Sequence, residues 1–124
     1  MSVWSGIRQV SQTEIAYCAG LYEGEGNCHT RRGAKGADLQ IAMCDKEPLL
    51  KFQGVLGGNL SGPHPPKSPE PNAKPYYTWS MGNWSKVEKV INLLSPYLSP
   101  RRLGQFELAQ LNKPTRKVKV YNHA

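Results

Sequence analysis

The stretch Cys18-Ala19-Gly20-Leu21-Tyr22-Glu23-Gly24-Glu25-Gly26 constrains this chain more than any other. An apolar helix end built from small side chains runs straight into two carboxylates spaced by glycine. A helix C-terminus carries about half a negative charge, so each acid there is disfavoured by roughly 0.3–1 kcal/mol. Stability alone would place Lys or Arg at this end. Something must offset the repulsion, and a divalent cation from outside the chain is the simplest source. Gly20 and Gly24 also make a GxxxG step, with Ala19 beside it, that lets two helix backbones approach closely. Tight packing inside one domain, or glycine used only as a helix stop, would employ the same residues.

A length of 124 residues fits one domain over 1–124, with a core at about 11–111 and a basic tail at 112–124. Sixteen Lys and Arg against nine Asp and Glu give a net charge of +7, which calls for a polyanionic partner. No run of residues approaches a membrane span, no secretory signal opens the chain, and no long basic amphipathic helix suits a membrane surface. Nucleic acid is therefore the expected partner, not a membrane or a small-molecule substrate. Cys18, Cys28 and Cys44 cannot all pair, and they show no CxxC spacing. That usage fits a reduced, intracellular protein, in the cytoplasm, nucleoid or an organelle matrix and not secreted. Cys28-His29 hints at zinc, but nothing supplies the other ligands at regular spacing.

Periodicity and turn chemistry give an order α-β-β-α-β-β-α-α, an α+β domain with one four-stranded sheet. Met1 to Val10 form a lead-in. Ser11-Gln12-Thr13-Glu14 reads as a capping box for a helix from Gln12 to Tyr22 or Glu23. Strands are expected at Asn27 to Arg32 and Asp38 to Met43, then a helix capped by Asp45 and stopped at Gly57-Gly58. A third strand at Asn59 to Gly62 precedes an exposed Pro-rich connection from His64 to Pro71, and Tyr76 to Met81 forms the fourth. Asn83 or Ser85 starts a third helix, with Ser85 and Glu88 spaced as a second capping box, and Ser99-Pro100 begins the last. Helices on one face would leave the other sheet face open, and strands can enter the major groove of DNA.

That order, with the stretch from Cys18 to Gly26, resembles the LAGLIDADG homing endonucleases. Ala19, Gly20, Leu21 and Gly26 match the family signature letter for letter, and Glu23 and Glu25 stand where it has aspartates. The resemblance continues through Asp45-Lys46-Glu47-Pro48-Leu49-Leu50, Leu56-Gly57-Gly58, Tyr77-Thr78-Trp79-Ser80 and Leu93 to Leu98. It closes on Arg101, Arg102 and Gln105, and covers about Glu14 to Leu111. It implies the αββαββα(α) fold with an antiparallel, saddle-shaped sheet. A single signature in one chain implies the homodimeric branch, in which Ala19, Gly20, Glu23 and Gly24 meet the second subunit.

The same resemblance implies metal-dependent double-strand cleavage of a long, nearly palindromic target, leaving 3′ overhangs. Glu25 and the backbone of Gly24 would hold Mg²⁺, or Mn²⁺ in its place, both of which prefer hard oxygen ligands. Glu23 is read as solvated or structural. Arg102 matches the family's catalytic-pocket lysine, with Arg101 second, although either could simply touch the DNA backbone or solvent. Where family members often carry Gln to position water, this chain has Met43, which offers no useful donor or acceptor.

Strand parity counted from Glu25 points Asn27, His29 and Arg31 to the open face, with Asp38 and Gln40 on the next strand. Arg31 or Arg32 could grip guanine and Gln40 adenine, while Lys35 and Lys67 suit phosphate. His29 is equally readable as an ordinary surface histidine. On the fourth strand Tyr76, Thr78 and Ser80 compete with Tyr77 and Trp79 for the open face; Thr78 is the representative of the polar set. Two other functions use the same sequence: a non-cleaving relative that binds DNA as a regulator or RNA as an intron maturase, and an unrelated basic RNA-binding domain. The second leaves the acids at the glycine-rich helix end unexplained.

Overall fold

The computed structural model describes residues 10–31 and 33–114. Arg32, most of the lead-in and most of the basic tail lie outside the described residues. Nine segments follow in order: α1 (Gln12–Glu25), β1 (Gly26–Thr30), β2 (Ala37–Met43), α2 (Lys46–Leu56), β3 (Asn59–His64), β4 (Tyr76–Met81), α3 (Trp84–Leu94), a 3₁₀ turn (Ser95–Tyr97) and α4 (Pro100–Leu111). The strands form one antiparallel sheet in the order β1-β2-β4-β3, as the α+β reading expects.

Local chemistry sets most boundaries. The Glu14 amide donates to Ser11 Oγ at 3.1 Å, and the Ser11 amide donates to Glu14 Oε1 at 3.0 Å, which closes the expected capping box on α1. The Asp45 side chain caps α2 by accepting from the Glu47 amide, and Gly57, with a positive φ, ends it. Four expectations are corrected. Gly24 does not break α1, which runs on to Glu25 because its last turn is held from outside by α4. β1 ends at Thr30, so Arg31 follows the strand instead of lying in it. β3 runs through to His64, because Tyr76 pairs with that residue after an irregularity in the register. Asn83, not Ser85, caps α3; its side chain accepts from the Lys86 amide, and the Ser85 hydroxyl donates to Asn83 Oδ1.

Alternation divides the sheet into two unlike faces. Leu39, Ile41, Trp79 and Met81 point inward and are buried against the helices. They meet Cys18, Ala19 and Tyr22 of α1, Phe52 of α2, Leu94 of α3 and Phe106 of α4 in one core. Phe52 packs edge-on to Trp79 with ring centroids 4.6 Å apart, and the Trp79 indole N–H donates to the Gly57 carbonyl at 2.7 Å. Burying each such large side chain contributes about 1.5–3 kcal/mol. Burial also pushes the Cys18 and Cys28 thiols up to about 11, so both remain protonated near neutrality. Among the described residues no group of three or more His, Cys, Asp and Glu is placed to hold a metal, and no helix is long and apolar enough to cross a membrane.

The glycines of α1 fall into two classes. A Cβ on Gly26 would collide with the Tyr22 ring, whereas one on Gly20 or Gly24 would meet none of the described residues within 4 Å. We expect Gly26→Ala to cost about 1–3 kcal/mol in a denaturant titration. Gly20→Ala, by contrast, should leave the isolated fold intact or stabilise it by up to about 1 kcal/mol through helix propensity.

Candidate active site and nucleic-acid interface

The two acids of the glycine-rich helix end have opposite surroundings. Glu23 Oε1 accepts from the Ser99 amide at 2.8 Å, and Oε2 accepts from the Ser99 hydroxyl at 2.7 Å. Ser99 is the N-cap of α4, so Glu23 sits against the positive end of that helix. These two hydrogen bonds hold the Glu23 carboxyl below its ordinary range, with Arg101, at 3.9 Å, and Arg102 adding to the effect. Glu23 is thus the structural acid of the pair, bound inside its own chain. The offset expected from outside is, for this residue, internal.

Arg102 completes the same junction. It is only 5% exposed. Its Nε–H donates to the Glu23 carbonyl at 3.1 Å, and its Nη1 donates to Gln105 Oε1 at 3.0 Å. The guanidinium lies 5.5 Å from the centre of the Tyr22 ring, close enough for a cation–π contact. A buried cation therefore neutralises the carbonyl end of α1. Arg101, beside it in sequence, points outward with 64% of its side chain exposed.

Glu25, the last residue of α1, is exposed and has no hydrogen bond or ion pair among the described residues. It stands on the rim of an open groove of about 690 Å³. Ala42, Met43, Cys44 and Asp45 form one side, at the end of β2. Lys67, Ala73 and Lys74 of the Pro-rich connection form the other, with Tyr76 beside them. Met43 thus lies in the groove with Glu25, while Arg101 and Arg102 do not line it.

From this end the open sheet face extends as polar cross-strand rows. Asn27 pairs with Gln40, Gln40 with Ser80 and Ser80 with Asn59, so one row crosses all four strands. A second row joins Ala42, Thr78 and Ser61, and His29 pairs with Asp38. Asn27, His29, Asp38 and Gln40 therefore share the face that parity assigned them, and the open choice on β4 resolves to Tyr76, Thr78 and Ser80. Trp79 is core, and Tyr77 lies half-buried against it. Asn59 and Ser61 on β3 join the face, which sequence reasoning missed; their alternation with Leu60 was the available signal.

Arg31 is already engaged. Its Nη2 donates to Asp38 Oδ1 at 2.8 Å and to the Gly82 carbonyl at 2.7 Å, and its Nη1 to the Lys35 carbonyl at 3.4 Å. It ties the end of β1 to β2 and β4, and Asp38 shares that tie. Lys35 is exposed, and the Lys67 ammonium lies 4.9 Å from the centre of the Tyr76 ring. Ala19 is buried in the chain's own core, so the small residues of α1 left on the surface are Ala16, Gly20 and Gly24.

Solved structures share this architecture. The group I intron-encoded homing endonuclease I-CeuI, complexed with DNA, superposes with a TM-score of 0.62 at 16% identity over 85% of this chain and 56% of that one. I-CvuI, in complex with its target, gives 0.60 at 16% identity over 81% of this chain and 66% of that one. The I-SmaMI LAGLIDADG homing endonuclease, bound to cleaved DNA, gives 0.56 at 13% identity over 78% and 34%. The chain thus spans between about a third and two thirds of the length of these proteins. No protein-family model and no curated protein matches the sequence. The chain has the LAGLIDADG homing-endonuclease fold.

Ser99→Ala should remove both the α4 cap and one bond to Glu23, costing about 1 kcal/mol. The carboxyl of Glu23 titrates lower in the folded than in the unfolded chain, so its contribution is present above the usual carboxylate range and lost as pH falls through the lowered folded value. Thermal unfolding of wild type and Glu23→Gln should therefore differ most near neutrality and converge in acid.

Proposed function

We propose that this chain is a site-specific DNA endonuclease acting as a homodimer that makes metal-dependent cuts in both strands of a long, nearly palindromic target. The carrying observation is the contrast between the acids: Glu23 is bonded to Ser99 within the chain, while Glu25 has no partner among the described residues and stands at the lip of the groove. A carboxylate used only for stability would be bonded like Glu23.

The dimer reading rests on α1. Glycine at two exposed helical positions costs about 1 kcal/mol each relative to alanine. None of the described residues occupies the space their missing side chains leave. A second copy of α1 packed against Ala16, Gly20 and Gly24 explains that loss and brings two Glu25 side chains to the centre. Glu23 and Ala19 contribute to this interface indirectly, by fixing the helix from behind.

The donor set fits a hard divalent ion only as a shared site. Each chain offers the Glu25 carboxylate and the nearby Gly24 carbonyl, and Mg²⁺ habitually takes its remaining ligands from water and substrate phosphates. Bound there, Mg²⁺ or Mn²⁺ supplies charge neutralisation for the paired carboxylates and Lewis-acid activation of phosphodiester hydrolysis. The residues of the chain do the positioning. Arg102 and Ser99 hold the end of α1 so that Glu25 projects into the groove. Asn27, Gln40, Thr78, Ser80 and Asn59 present donors and acceptors to base edges. Arg101 and Lys35 lie exposed for backbone phosphates. Cuts on the two strands across a minor groove leave 3′ overhangs.

Met43 in the groove favours one second reading, a relative that binds DNA or intron RNA without cutting, because a thioether orders water poorly. Two variants separate the readings. Glu25→Gln should abolish Mg²⁺-dependent cleavage, by at least about a hundredfold, while DNA affinity is kept or raised. Gly20→Leu should yield a folded monomer by sedimentation and lose cleavage. Cleavage by Glu25→Gln at the wild-type rate, or a wild type that binds DNA selectively without cutting, would overturn the nuclease reading.

A further inference from the structure

The Pro-rich connection between β3 and β4 is built into the Glu25 groove, not hung outside it. Its run of prolines makes it stiff and leaves few backbone donors to satisfy. Four contacts hold it. The Tyr76 ring has the Lys67 ammonium 4.9 Å from its centre and the His64 ring at 5.0 Å, so one side chain gathers both ends of the turn. The Cys44 thiol donates to the Lys74 carbonyl at 3.9 Å, pinning the far end to the turn after β2. Ser61 Oγ and His64 Nε2 lie 3.1 Å apart where the connection leaves β3.

The consequence concerns charge. The basic side chains lining the groove with Glu25 are Lys67 and Lys74. Arg102 is spent on the Glu23 carbonyl, and Arg101 faces Glu23 from the other side of the helix end. Lys67 is committed to the Tyr76 ring. The Lys74 ammonium has no hydrogen bond or ion pair among the described residues, while its backbone carbonyl accepts from the Cys44 thiol. The side that faces the two lysines carries Ala42 and Met43, whose apolar surface suits the carbon face of a deoxyribose, together with Asp45.

We propose that the 65–75 connection is the phosphate-binding wall of this groove: Lys74 grips a DNA backbone phosphate across from Glu25, and Lys67 fastens the wall to Tyr76. The choice of DNA as the occupant rests on the endonuclease reading. The placement of Lys67 and Lys74 along one side of the groove supports the wall.

The test is the salt dependence of binding to a random-sequence duplex, measured with the full chain in EDTA so that no cutting intervenes. Each backbone contact contributes about 0.9 to the slope of log affinity against log salt. Lys74→Gln should lower that slope by about 0.9 per bound copy and weaken binding equally on all sequences. Lys74→Arg should restore it. Lys89→Gln, on the exposed side of α3, serves as the control and should leave the slope unchanged. An unchanged slope in Lys74→Gln, a loss matched by Lys89→Gln, or no binding of DNA by the wild type would each overturn the wall. A wild type that shows the Lys74 effect yet never cleaves in Mg²⁺ would keep the wall and reject the nuclease.

Discussion

The junction between the end of α1 and the start of α4 is the constraint on which the rest of the molecule depends. A helix that ends in two acids works against its own dipole. This chain answers with a second helix whose N-terminus faces the first acid. Ser99 gives Glu23 both its amide and its hydroxyl, and Arg102 caps the Glu23 carbonyl from a buried position. Truncating Arg102 would leave the Glu23 carbonyl without that donor and open a space beside Tyr22. With α1 clamped in this way, Gly24 stays helical and Glu25 projects at a fixed place. Its exposure is then a consequence of the clamp, not of fraying.

The same arrangement separates stability from use. Most of what holds the fold lies on one side of the sheet, in the core of Trp79, Tyr22, Phe52 and their neighbours, with the Arg31–Asp38 tie as an exception on the open face. The other side is polar from edge to edge, through Asn27, Gln40, Ser80 and Asn59. An open face with little apolar area can change its side chains freely without loss of the core. A surface that must read a particular sequence needs that freedom. A net charge of +7 suits nonspecific attraction to a polyanion, as the proposed function requires.

Much of this was legible because strands and helix caps obey short-range rules. Parity from Glu25 placed Asn27 and His29 on the correct face, since a period of two leaves only two choices. Ser11, Asp45 and Ser99 announced their helices through side chains that can accept from the first turn. The fate of Arg102 was also present, unread: Arg102, Phe106 and Ala109 recur at i, i+4 and i+7, the inward face of α4. The resemblance to a catalytic lysine outweighed that periodicity. Gly24 looked like a helix stop because the partner that sustains the last turn is far away in sequence. Lys74 carried no signal at all, as a loop lysine shows its neighbours only once the chain has closed.

The most direct test of the account is to expose the purified protein and Mg²⁺ to a randomised duplex library and sequence the cut ends. The account predicts enriched sites related by a two-fold axis, cut on both strands with short 3′ overhangs. Protected but uncut sites, or no enrichment of any DNA sequence, would contradict it.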